Sequence, residues 1–317
     1  MKITYTSFFP LKARLPILLR IGVINNYVLI CPALFQNGKV VLFVLEKPRV
    51  RFEKNDFMKQ IGRIGRVLYA VAISGIGLLQ LYLGSFVGTI SPVWPDLFPG
   101  YRFLVYLLSA GMVGAGFMLL AGKAIRWVAI LLGFILLVCA VFDQVPFLYL
   151  VVPYKQTNLG VWDSALKELA LAGGAFLLSG LKPQPANTAE QSDFTFWPFA
   201  GTLFFSVTMI CYGCAHYLYR APTAALVPGW IPWPLFWVFL AGTVLIAAGL
   251  AIMLDVMKKP ASLVLGSMIF LRFGVIHLPA VFVYGMENNG SEISAALSAL
   301  AFSGIAFLIM AQTDGLV

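Results

Sequence analysis

GLLQLYLGSFVGTISPVW (77–94) can be set over GCAHYLYRAPTAALVPGW (213–230) without a gap. Gly77 meets Gly213, Gln80 meets His216, Pro92 meets Pro228 and Trp94 meets Trp230. Further on, Gly116, Gly133 and Pro146 fall on Gly249, Gly266 and Pro279 at one constant offset. SALKELALAGGAFLL (164–178) then lies over AALSALAFSGIAFLI (295–309), with Gly173 on Gly304. Single matches between oily segments are cheap, whereas ordered Gly, Pro and Trp matches in three successive blocks point to an internal duplication.

Composition says what is duplicated. Across 317 residues, 60% are hydrophobic and 11% charged, with a mean hydropathy of +0.89, so there is too little polar surface to coat a soluble globule. Eight apolar spans stand out, near 67–88, 101–121, 126–151, 164–181, 197–219, 234–254, 260–285 and 293–312. Each is close to the roughly 20 residues a helix needs to cross a bilayer. Period-two alternation is absent, so helices rather than barrel strands are expected. The expected fold class is therefore all-α and integral to the membrane, with eight transmembrane helices arranged as two four-helix repeats. Four helices per repeat is an even number, so the repeats run parallel, unlike the inverted pairs of many transporters.

The net charge of +9 resembles a nucleic-acid signal until it is partitioned. Residues 1–57 hold nine Lys/Arg against three Asp/Glu, and residues 58–317 hold thirteen against ten. Most of the excess is a basic N-terminal segment, and we expect the bilayer, not a nucleic acid, as partner. Lys59, Arg63, Arg66, Lys123, Arg126, Lys182, Lys258 and Lys259 fall on one side of the expected bundle. Arg102, Lys155, Lys167 and Arg220 fall on the other, so the positive-inside rule places both termini in the cytoplasm.

The expected organisation is a basic extension (1–57), a first repeat (58–181), a polar linker (182–196) and a second repeat (197–312). LPILLRIGVINNYVLICPAL, the longest oily run of the extension, is interrupted by Arg20, Asn25 and Asn26 and is not expected to span. Carrying the repeat offset backwards sets Phe194 against Met58. We accordingly expect MKQIGRIGR to be the working start and the segment before it an upstream extension.

Residues costly in hydrocarbon mark the candidate site. They are His216, Arg272 and His277 in the second repeat, and Gln80, Asp143 and Glu168 in the first. Arg272 and Asp143 suit an ion pair between the repeats, or Arg272 can hold an anionic or carbonyl ligand. The two histidines, the only ones in the chain, can bond a carbonyl, exchange protons with a quinone head group or ligate haem b from two helices. Glu168 also suits the positive end of its helix. Cys211 and Cys214 in CYGC lack the context of a thioredoxin-like redox motif. No metal-ligand spacing, phosphate-binding glycine loop or hydrolase elbow is present.

GCAHY (213–217), VPGWIP (227–232), a short gap and AGTVLIAAG (241–249), with KELALAGGAFLL (167–178) in the first repeat, resemble the DoxX family of four-helix membrane proteins. The resemblance implies a tandem DoxX-like protein of the bacterial inner membrane with a loose link to sulfur and redox chemistry, since the name-giving relatives are subunits of thiosulfate:quinone oxidoreductase. Gln80, standing where the second repeat has His216, departs from the pattern and separates the two halves chemically. Two functions are expected to compete. One is a non-catalytic module that binds a lipid or small hydrophobic solute, or scaffolds a complex. The other is a quinone-binding subunit that works with a redox partner subunit.

Overall fold

The computed structural model describes residues 22–24, 27–29, 34–36, 39–41, 50–90, 100–151, 155, 157–181 and 196–312. The chain divides into two compact units, 1–55 and 56–317. In the smaller unit β1 (Gly22–Ile24) pairs antiparallel with β2 (Tyr27–Leu29), and β3 (Leu34–Gln36) with β4 (Lys39–Val41).

The helices, all but the first residues of α1 belonging to the larger unit, are α1 (Val50–Leu83), α2 (Tyr101–Ala121), α3 (Ile125–Leu150), α4 (Asp163–Ser179), α5 (Phe196–Leu218), α6 (Arg220–Ala225), α7 (Pro234–Met253), α8 (Lys258–Arg272), α9 (Leu278–Tyr284) and α10 (Glu287–Gln312). Among the described residues, seven helical segments are long and apolar enough to cross a bilayer, which makes this a multi-pass helical membrane protein. The expected span at 164–181 forms α4, which has 17 residues and a length of about 25 Å. It is nonetheless the inner helix of its neighbourhood, with every residue from Ala170 to Ser179 buried.

Helix ends follow local chemistry. α1 stops at Gly84, whose φ of 63° is left-handed and whose N–H bonds Gln80 O. Pro234 opens α7, where a missing N–H costs nothing. Pro279 cannot donate to Val275 O, and the chain passes it through a π-helical turn, Phe273–His277, in which Leu278 N–H reaches Phe273 O. The disturbance is a widened turn just ahead of the ring. α10 is interrupted by left-handed Asn288, Asn289 and Gly290 before it runs on regularly.

Close backbone approaches hold the bundle together. A Cβ built on Gly65 would lie 2.7 Å from Gly304 O, and one on Gly304 would lie 2.7 Å from Gly65 O, so α1 and α10 touch main chain to main chain. The counterparts of these residues in the alignment, Gly201 and Gly173, bring α5 against α4 in the same reciprocal way. A Cβ on Gly77 meets Ser109 O and Val113, and one on Gly213 meets Gly242 O and Ile246. Gly116 faces Ala70 O and Ser74 as Gly249 faces Ser206 O and Ile210, while Gly133 faces Phe176 as Gly266 faces Phe307. Left-handed residues recur likewise, Gly100 with Trp233, Gly122 with Asp255 and Ala124 with Met257. Small residues permit this proximity where hydrocarbon gives helices no hydrophobic reason to associate.

Around these contacts Tyr69, Phe176, Phe205, Leu171 and Ile305 form a continuous buried core. Tyr69 lies at its centre and donates its hydroxyl to Leu171 O over 2.6 Å.

Candidate functional site

The last turn of α5 carries His216 over the face of α7. A Cβ on Gly242 would come within 3.0 Å of His216 Cβ, so a glycine there leaves room for the imidazole. His216 Nδ1 lies 2.7 Å from Tyr212 O, one turn back. Its Nε2 lies 2.8 Å from Arg272 Nη1. A carbonyl only accepts and a guanidinium only donates, so the bonding pattern assigns the proton to Nδ1 and leaves a neutral ring accepting at Nε2.

Arg272 ends α8, and its side chain reaches α5. Among the described residues its hydrogen-bond partner is this imidazole, and no carboxylate pairs with it. The side chain of Asp143, the expected counter-ion, lies outside the described residues. A guanidinium has five N–H donors, and the bond to His216 uses one. Arg272 is half-buried, and among the described residues no other acceptor is bonded to its remaining donors.

His277 closes the π-helical turn that follows Arg272, is also half-buried, and makes no hydrogen bond among the described residues. The charges whose fields reach it are those of Arg272 and Lys167. Lys167 belongs to α4 and is held by Asp163 at 2.5 Å. Tyr212 hydroxyl donates to Asp163 O over 3.3 Å. A bonded path thus runs from α4 through Tyr212 and His216 to Arg272, joining the last helix of the first half to the second half. Tyr212, Lys167 and Gly242 were not anticipated as site residues. Tyr212 was findable, because it stands one helical turn before His216.

Gln80 is fully buried in α1 and accepts from Ser109 Oγ over 2.9 Å. Glu168 is buried within α4. Cys211 and Cys214 are free thiols, and Cys214 is exposed.

The arrangement limits the chemistry. With Nδ1 given to a carbonyl and Nε2 to a guanidinium, His216 keeps no lone pair for an iron, so the pair of histidines does not fit haem b. Among the described residues no cluster of His, Cys, Asp and Glu suits a metal ion. What remains is a cation bonded to one half-buried imidazole, with a second half-buried imidazole within reach of its field. Compared with protein-family models, curated proteins and solved structures, the chain matches none.

Proposed function

We propose that the protein is a tandem DoxX-like module of the bacterial inner membrane, with eight crossings in two parallel repeats and both termini cytoplasmic. It binds a lipid or small hydrophobic solute with an anionic or carbonyl head at Arg272, His216 and His277. The observation that carries this reading is the pairing of Arg272 with a neutral imidazole, with no carboxylate partner among the described residues. A half-buried guanidinium in an apolar setting is costly unless charge reaches it, and carboxylate or phosphate oxygens match its planar donor geometry. The duplication is supported by the recurrence of glycine contacts and left-handed residues at the alignment offsets.

The test is native mass spectrometry of the full chain in mild detergent, with a long-chain fatty acid added as probe. Stoichiometric binding that Arg272→Gln removes and His277→Ala weakens is expected. Equal binding by the wild type and Arg272→Gln would sink the proposal.

A second reading is favoured by one feature, the imidazole of His277, which makes no hydrogen bond among the described residues and lies within reach of the Arg272 charge. Here the guanidinium holds a quinone carbonyl, a partner subunit supplies electrons and His277 exchanges protons. A quinone absorption band in the purified protein, lost in His277→Ala, would select this reading over the non-catalytic one.

A further inference from the structure

The turn between α2 and α3 receives a guanidinium that the histidine–arginine site does not use. Arg66, half-buried in α1, reaches this turn: a Cβ built on Gly122 would lie 3.7 Å from Arg66 Nη1. Its Nε–H is buried without a hydrogen-bond partner among the described residues, and neither ion pair found there involves it. The turn closes on itself, with Leu119 O and Met118 O accepting from Gly122 and Lys123 N–H. Lys123 is exposed in the same turn, and Arg126 follows in the first turn of α3. From Phe57 to Phe142 the only acid in the sequence is Asp96, which belongs to the α1–α2 connector and not to this one.

The second half shows the same corner with its polar groups satisfied. At the alignment offsets Thr202 stands for Arg66 and Asp255 for Gly122. Thr202 returns its hydroxyl to Pro198 O over 2.9 Å, and Asp255 pairs with Lys258 at 3.3 Å. Both turns carry left-handed backbone at matching places, Gly122 with Asp255 and Ala124 with Met257. The frame recurs, but the acid present in one copy is absent from the other.

We infer that Arg66 and Lys123 hold the phosphate of an anionic phospholipid. A buried, orphaned donor on a cation is costly, and a phosphodiester offers charged oxygens that match the planar guanidinium fork. Basic clusters at the ends of membrane helices suit such head groups. The apolar surface alongside selects a lipid over free phosphate: Val67 and Val71, on one stripe of α1, are exposed, and so is Trp127, a residue type that settles at head-group level. This site is distinct from Arg272. The counterpart turn opens α8, and Arg272 closes that helix about 21 Å further along.

The test titrates the full chain in mild detergent with phosphatidylglycerol, read by native mass spectrometry, with phosphatidylcholine and inorganic phosphate as comparison ligands. One phosphatidylglycerol should bind about tenfold more tightly than phosphatidylcholine, and Arg66→Gln should abolish that preference. Lys123→Gln, at an exposed position where packing is not disturbed, should lower it about fivefold, and it decides the matter if Arg66→Gln does not fold. Lys258→Gln, at the corner that holds its own acid, and Arg272→Gln should leave the preference unchanged, whatever the fatty-acid experiment gives. Equal binding of the two lipids by the wild type, a preference that survives in Arg66→Gln and Lys123→Gln, or displacement of phosphatidylglycerol by equimolar inorganic phosphate would each overturn the inference.

Discussion

Arg272 Nη1 donates to His216 Nε2 across 2.8 Å, from the end of α8 to the end of α5. His216 is thus an acceptor for a charge, and its removal leaves the guanidinium without its hydrogen-bond partner among the described residues. We expect His216→Ala to destabilise the folded protein by about 1–3 kcal/mol and His216→Gln, which keeps an acceptor, by clearly less. Thermal unfolding in detergent checks both; equal losses would show that packing against Gly242, not the hydrogen bond, is what His216 supplies.

The glycine contacts make a sharper prediction. Gly65→Ala and Gly201→Ala drive a methyl into facing main chain, and each should cost about 1–3 kcal/mol. Gly114→Ala is the control: nothing lies within 4 Å of a Cβ there, and in a helix interior alanine should be neutral or stabilising by roughly 0.5–1 kcal/mol. A denaturant series on the three variants decides it, and a neutral Gly65→Ala would refute the main-chain contact.

Tyr69→Phe deletes a 2.6 Å hydrogen bond to Leu171 O at the centre of the core without changing its shape. A loss of about 0.5–1.5 kcal/mol is expected, because Leu171 O keeps its place in the helical ladder of α4. A larger loss in an unfolding titration would mean that Tyr69 also fixes the α1–α4 spacing.

Reporter fusions test the proposed orientation. Fusions at residues 155 and 288 should report the periplasm, and those at 188 and 317 the cytoplasm. The reverse pattern would overturn the charge asymmetry from which the orientation is read.

Most helix boundaries were legible because apolar runs and their Gly and Pro punctuation are local. The expected span 101–121 coincides with α2, and 234–254 with α7 to within one residue. α1 was misjudged at both ends. Helical propensity carries it back to Val50 through a polar stretch that hydropathy ignores, and it stops at Leu83. The site was half legible. Costly residues flagged His216, Arg272 and His277, but not the bond between Arg272 and His216. Hydropathy omits the reach of a long side chain towards a polar partner, and it cannot see the extra residue wound into the π-helical turn. Lys167 was read as a flanking charge and not as a site residue, because its link to the site exists only once α4 packs beside the second half.

The reciprocal contact of Gly65 with Gly304 has a bearing on biogenesis. Of the described helices in the larger unit, α1 leaves the ribosome first and α10 last, so the earliest segment to be inserted waits for the latest before its small-residue face is covered. Until then that face is open to lipid or to a neighbouring chain. Ribosome stalling or truncation ahead of α10 would leave α1 without its mate, and quality-control proteases of the membrane would meet it in that form.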